Sequence, residues 1–222
     1  MLYYIILFQF IIKKYKKMKY IDFELKINSP IFTRQEIKLL SFRVFDCQLS
    51  SWQKNGYIVK IKNGVYAFSK RIDEISGEEV AQKIYSPSYL SYEKALYFYG
   101  FIPEMVYAFT LATPKTTRTF ENEFGKFIYH NIKRSLFFGY VSMQGKSESY
   151  LVAEPEKAIL DFLYLRKSSI KIKEDISSFR FNFKEIKEKT DFTKFKKYLK
   201  SFNNKKFEKT VKIFFETGNI NA

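Results

Sequence analysis

The stretch FRVFDCQLSSWQKNGYIVKIKNGVYAFSK, Phe42 to Lys70, constrains the fold more than any other part of the chain. Asp46 is placed to cap a helix, because its side-chain oxygen can accept a free N–H of the first turn. The helix is expected over Cys47–Asn55, and Gly56 suits the left-handed residue that ends it. Tyr57–Ile61 and Val65–Phe68 are rich in β-branched and aromatic residues and flank Lys62-Asn63-Gly64. Asn-Gly between two such runs signals a tight hairpin. At about 100° per residue, Leu49 and Trp52 share one helix face and should point inward. Cys47, Ser50, Ser51 and Lys54 then point outward.

A helix followed by a basic hairpin is the plan of a winged helix-turn-helix, in which the helix enters the DNA major groove and the hairpin touches the backbone. In that plan Ser50, Ser51, Gln53 and Lys54 lie nearest the bases, since small polar side chains allow close approach to base edges. Arg43 ahead of the helix and Lys60, Lys62 and Asn63 on the hairpin hold the phosphates. An ordinary solvated helix and hairpin fits the same pattern equally well, because short motifs match by chance.

Charge points the same way without deciding the matter. The chain has 222 residues and a net charge of +16, from 39 basic and 23 acidic residues. Such an excess suits a polyanionic partner, nucleic acid first and an anionic membrane surface second. A lysine-rich proteome would give the same excess. Apolar residues make up 46% of the chain, enough for a proper core in one large or two small domains. With one cysteine, Cys47, neither a disulfide framework nor a Cys-x-x-Cys pair can form within the chain. With one histidine, His130, any His-based triad or metal site rests on that residue.

Residues 1–17 open with the apolar run MLYYIILFQFII and continue into KKYKK. The run is too short to span a bilayer as a helix, and it lacks a basic leader and a small-residue cleavage site. The expectation is that Met18 is the true start and that residues 1–17 are translated upstream sequence, with a peripheral anchor as the alternative. Lys19–Ile27 alternates as a strand or an irregular lead-in would. Thr33-Arg-Gln-Glu36 fits a capping box that opens a short helix to Leu40. Arg71–Lys83 is polar and reads as a linker leading into a helix.

Beyond it, Ser86-Pro87-Ser88 should start a helix through Tyr99, stopped by Gly100. Val106–Ala112 reads as a buried strand. Arg118–Phe124 and Lys126–Tyr129 read as a hairpin around Gly125, and Ile132–Ser142 as a strand pair or a strand bent at Gly139. Ser149–Ala153 is a short strand and Pro155–Leu165 a strong helix. Three tail helices, Phe183–Lys189, Phe192–Phe202 and Lys205–Phe215, carry apolar residues at three- and four-residue spacing. Their interleaved phenylalanines read as core rather than as platforms for stacked bases.

Four segments taken together resemble a family. They are the hairpin NGVYAF (Asn63–Phe68), SPSYLSYEKALYFYGFIPE (Ser86–Glu104), FGKFIYHNIKRSLFFGY (Phe124–Tyr140) and AEPEKAILDFLYL (Ala153–Leu165). In this order and spacing they resemble the AbiEi-type antitoxins of type IV (abortive infection) toxin–antitoxin systems, from about Phe32 to the C-terminus. The resemblance implies an N-terminal winged helix-turn-helix joined to a mixed α+β antitoxin domain with C-terminal helices. It implies binding to inverted repeats in the promoter DNA of its own operon, and repression of that operon. It also implies neutralisation of a companion nucleotidyltransferase toxin, often without a stable complex. The apolar leader and a shortened first helix of the winged unit depart from that pattern.

The expected organisation is thus α+β: residues 1–17 as leader, 18–72 as the winged helix-turn-helix domain and 73–222 as the antitoxin domain. The protein is expected to be cytoplasmic, to use no cofactor or metal, to have no membrane partner and not to be an enzyme. The alternative is a nucleic-acid-processing enzyme with its carboxylates in the C-terminal half. Glu154, Glu156, Lys157 and Asp161 have the residue types for metal or acid–base work. A structural role suits them better. The glutamates favour the positive end of a helix, and Lys157–Asp161 is an i,i+4 pair. Lys115 and Arg118 beside Thr116 and Thr117 offer a phosphate grip, though a solvated turn explains them as well.

Overall fold

A computed structural model describes residues 18–40 and 42–220, so the leader expected over residues 1–17 lies outside the described residues. The protein is mixed α+β and forms two compact units. The first runs to Ile84 and includes Gly145–Glu148; the second holds Tyr85–Gln144 and the chain from Ser149 onward.

The first unit contains α1 (Tyr20–Lys26), β1 (Ile31–Thr33), α2 (Arg34–Leu39), α3 (Asp46–Lys54), β2 (Ile58–Lys62), β3 (Val65–Phe68), a 3-10 turn (Ser69–Glu74) and α4 (Gly77–Ile84). Its strands make a three-stranded antiparallel sheet in the order β1-β3-β2. Each start and stop has a local cause. Thr33 accepts the N–H of Glu36, and the Glu36 carboxylate accepts the N–H of Thr33 at 2.7 Å, completing the capping box of α2. Gly56 ends α3 with φ +70°, and Gly64 turns the β2–β3 hairpin with φ +81°. Ser76 and Glu79 cap α4 reciprocally.

An aromatic core holds the unit together. Phe23, Phe32, Trp52 and Phe68 are buried, with Phe23 set 5.0 Å from Trp52 and Phe32 set 4.8 Å from Phe68, centroid to centroid. Burying one such side chain stabilises by roughly 1.5–3 kcal/mol.

Three expectations change here. Lys19–Ile27 is not a strand: α1 occupies most of it and buries Phe23. Asp46 does not cap α3 but is its first helical residue, and the N-cap is Phe45, whose N–H is accepted by the Gln48 side chain at 3.2 Å. Arg71–Lys83 is not a linker. It forms the 3-10 turn and α4, which buries Val80, Ala81 and Ile84 and belongs to the first unit, beyond the boundary expected at residue 72.

The second unit is built on a six-stranded mixed sheet in the order β6-β7-β5-β4-β9-β8. In chain order its elements are β4 (Tyr89–Leu90), α5 (Tyr92–Phe98), β5 (Phe109–Thr113), β6 (Arg118–Asn122), β7 (Gly125–Asn131), β8 (Tyr140–Gln144) and β9 (Ser149–Ala153). They continue with α6 (Pro155–Arg166), α7 (Lys173–Ser177), α8 (Phe183–Lys189), α9 (Phe192–Phe202) and α10 (Lys205–Thr217). The pairs β4–β9 and β5–β7 are parallel, and the other pairs are antiparallel. Every residue of β5 is buried, as a central strand with both faces covered requires. Helix α6 is buried over most of its length and packs against α5 and α9.

Most of the sequence expectations for this unit hold. The Gly125 hairpin, β9, α6 and the three tail helices lie where the sequence placed them, with α10 running two residues further. Asn203 in the left-handed region ends α9, and Asn204 caps α10 by accepting the N–H of Phe207 at 2.9 Å. The expected Ser86–Tyr99 helix is instead β4 followed by α5, with Gly100 (φ +75°) as the stop. Here Tyr89 and Leu90 pair with β5, so sheet hydrogen bonding overrides helix propensity. The Ile132–Ser142 strand is shortened to β8, because Arg134–Leu136 winds into a 3-10 turn ahead of it.

Candidate nucleic-acid interface

Helix α3 is divided cleanly between two faces. Gln48, Leu49 and Trp52 are buried, while Cys47, Ser50, Ser51, Gln53 and Lys54 are exposed and line a shallow, open concavity. The inward anchors are apolar except Gln48, whose amide donates to the Met18 carbonyl at 2.6 Å and so ties α3 to the start of the described chain. None of the outward residues is needed by the core. That face therefore offers a cysteine thiol, two hydroxyls, an amide and an ammonium, a set able to donate and accept hydrogen bonds.

The flanking cations differ in how far they are committed. Arg43 is exposed, with its guanidinium 4.9 Å from the centre of the Phe45 ring. Lys60 and Asn63 are exposed. Among the described residues neither Lys54 nor Lys60 has a carboxylate within ion-pair reach. Lys62 is half-buried, and its ammonium donates to the Ile84 carbonyl at 2.9 Å, the last residue of α4. A cation at a helix C-terminus is favourably placed there. To reach a phosphate, Lys62 must first give up that bond.

The sequence reading missed Arg34. It forms an ion pair with Asp46 and so links the start of α2 to the start of α3. Arg34 also donates its backbone N–H to the Gly64 carbonyl at 2.8 Å, which fixes the hairpin turn against α2. No sequence spacing announces this, because all three groups come from different elements.

The second unit holds the carboxylates of the enzyme alternative. Lys157 and Asp161 form an ion pair with both side chains at 0% exposure. One oxygen of Asp161 takes the Lys157 ammonium, while the other accepts the hydroxyls of Tyr89 at 2.8 Å and Ser91 at 2.9 Å. Lys157 also donates to the Tyr89 oxygen at 2.9 Å. Burial pulls the Lys157 ammonium below its ordinary pKa against the opposing pull of Asp161. Phe138 lies 5.3 Å from the ammonium, and Phe137 5.2 Å from the Tyr89 ring. Segments 86–104, 124–140 and 153–165 thus meet around one buried ion pair.

The other candidates have structural partners. The Glu156 carboxylate accepts the N–H of Asp191 at 2.8 Å, and Glu154 accepts from Lys194 at 2.6 Å and from Tyr198 at 2.5 Å. Lys115 donates to the Ser86 carbonyl. His130, on β7, packs edge-on to Tyr92 at 4.9 Å, and burial holds its imidazole below the usual pKa. Phe195, Phe202, Phe207 and Phe214 in the tail helices are core residues. Among the described residues, no cluster of three or more His, Cys, Asp or Glu is placed to hold a metal, and no helix is long and apolar enough to cross a membrane.

No protein-family model matches the chain, and no curated protein matches it significantly.

Proposed function

We propose that the protein is a winged helix-turn-helix autorepressor that binds its own operon's promoter DNA and acts as the antitoxin to a companion nucleotidyltransferase toxin in the cytoplasm. The observation that carries the DNA-binding half is the two-faced α3. Its inner face anchors an aromatic core, and its outer face is small, polar and exposed immediately ahead of a basic hairpin. The order α1-β1-α2-α3-β2-β3 and the β1-β3-β2 sheet support the same reading, since they present a helix and an adjoining hairpin as one unit. Here α3 lies in the major groove with Ser50, Ser51, Gln53 and Lys54 toward the bases. Arg43, Lys60 and Asn63 take the flanking phosphates, with Lys62 joining them only if it leaves Ile84.

The antitoxin half rests on the resemblance. What supports it is the convergence of three of the four resembling segments on the Lys157–Asp161 pair, which gives those three a shared structural reason to occur together.

The test is fluorescence anisotropy of the full chain with the duplex upstream of its own gene, against a scrambled duplex, over a salt series. A preference that survives near-physiological salt supports the repressor. Equal binding that collapses steeply with salt would mean that only the +16 charge is at work. The antitoxin half is tested by co-expression with the neighbouring toxin gene, where failure to restore growth counts against it.

A further inference from the structure

Strand β8, YVSMQ, ends the six-stranded sheet and, among the described residues, has no neighbouring strand on its outer side. Its pairing with β9 is regular from Tyr140↔Ala153 to Gln144↔Ser149. The hydrogen bonds on either side of that ladder set its phase: Glu154 N–H donates to the Gly139 carbonyl at 2.9 Å, and Gly145 N–H to the Glu148 carbonyl at 2.8 Å. Odd-numbered positions of β8 therefore bond inward to β9. Tyr140, Ser142 and Gln144 turn their N–H and C=O groups to the open edge. Among the described residues none of these groups has a protein partner.

Natural sheets usually blunt such an edge with lysine, proline, a bulge or short length. The other outer strands here do so. Strand β6 carries Arg118 and Glu121; β2 carries Lys60 and Lys62 and breaks register between them; β1 has three residues. Strand β8 has no charged residue, no proline and no bulge. It also lies within Ser135–Gly145, a run without a charged side chain in a chain that is 28% charged. Val141, Ser142 and Gln144 on it are exposed.

We propose that β8 is a self-association edge, and that it pairs antiparallel with β8 of a second copy of this chain about a two-fold axis through Ser142. The phase of the ladder gives the register. Ser142 faces Ser142 of the second copy, and Tyr140 faces Gln144, each pair exchanging two N–H···O bonds. The contact is isologous, so the dimer closes and does not grow into a fibre. Charge names the occupant. Two copies carrying +16 each repel across most of their surfaces, and this uncharged edge lets them meet without opposing like charges. The inference stands apart from the DNA-binding reading, which concerns the first unit.

The experiment is sedimentation equilibrium of the full chain over a concentration series, with three variants. The wild type is expected to show a reversible monomer–dimer equilibrium. Ser142→Pro removes an outward N–H that β9 does not use, and should give a monomer with an unchanged circular-dichroism spectrum. Ser142→Lys and Ser142→Glu each place like charges face to face and should be monomeric alone. Mixed in equal amounts they should form a heterodimer, which a general loss of structure would not produce. A wild type that stays monomeric throughout overturns the proposal. So does a dimer that persists in Ser142→Pro and Ser142→Lys, because its contact would lie elsewhere.

Discussion

The carboxylate of Glu79 accepts the backbone N–H of Ser147 at 2.7 Å, although the two residues are 68 positions apart in the sequence. The same carboxylate accepts the N–H groups of Glu148 at 2.5 Å and Ser76 at 2.6 Å, and Glu79 is only 1% exposed. It both caps α4 and organises the Gly145–Glu148 turn. Gly145 makes room for it, since a Cβ there would lie 2.6 Å from the carboxylate oxygen and 2.5 Å from the Glu148 carbonyl. Replacing Glu79 with Gln puts an amide NH2 against backbone donors. The variant should lose about 2–3 kcal/mol of stability, the scale of charge-assisted bonds and orphaned buried donors. Urea denaturation followed by circular dichroism measures it, and an unchanged midpoint would refute the role.

The acid limb of the stability curve should carry the same signature. Burial alone would raise the Glu79 pKa, but the N–H groups of Glu148, Ser76 and Ser147 outweigh it and hold the carboxyl below its ordinary 4.5. In Glu36 burial is likewise outweighed, by Lys83 and the Thr33 amide. The unfolded chain then binds protons before the native one. Stability from both groups is fully present above pH 4.5 and is lost as pH falls toward the depressed native values. Thermal melts between pH 6 and pH 3 (pH values on the order of the carboxylate range) should show a smaller acid loss in Glu79→Gln than in the wild type. Parallel curves would contradict it.

The Lys157–Asp161 pair makes a different prediction, because both charges are out of water. Removing one partner leaves the other buried without compensation. Asp161→Asn should therefore cost about 3–5 kcal/mol. In that variant Lys157 stays buried without its counter-charge, while the unfolded lysine keeps its ordinary 10.5. The unfolded state then holds the extra proton, so the variant should regain stability as pH rises toward 10.5. The wild type, with its pair intact, should regain less. A double-mutant cycle with Lys157→Met isolates the coupling, and a coupling near zero would mean that the pair is incidental.

How much of this was readable depended on the range of each interaction. The Thr33–Glu36 box, the Asn63-Gly64 turn and the Asn204 cap act within a few residues, and the sequence placed them or their elements well. Helix α1 was missed for a specific reason. Ile21, Phe23, Leu25 and Ile27 alternate as a strand would, yet Ile21 is 57% and Leu25 76% exposed. The period-two pattern mixed core residues with surface ones, and packing of Phe23 against Trp52 decided for helix. The outward face of α3 followed from helical geometry alone. The engagement of Lys62 with Ile84, the Arg34–Asp46 link and the Glu79 cradle depend on tertiary approach, and no local pattern encodes them.

That difference in commitment separates the two hairpin lysines in a DNA-binding experiment. Lys60 has no carboxylate partner among the described residues, so on the proposed reading it contributes its charge to the phosphates. Lys60→Ala should weaken binding to specific and scrambled duplexes alike and reduce the salt slope by about one counterion. Lys54→Ala on α3 should weaken specific binding more than non-specific binding, since it alters groove readout. Lys62 already spends a hydrogen bond on Ile84. Lys62→Ala should cost stability of about 0.5–1.5 kcal/mol and move the salt slope less than Lys60→Ala does. Anisotropy titrations at several salt concentrations, paired with denaturation of each variant, read both effects. A slope that falls more for Lys62→Ala would show that Lys62 leaves Ile84 for the DNA. Unchanged binding in both Lys54→Ala and Lys60→Ala would remove α3 and the hairpin from the interface.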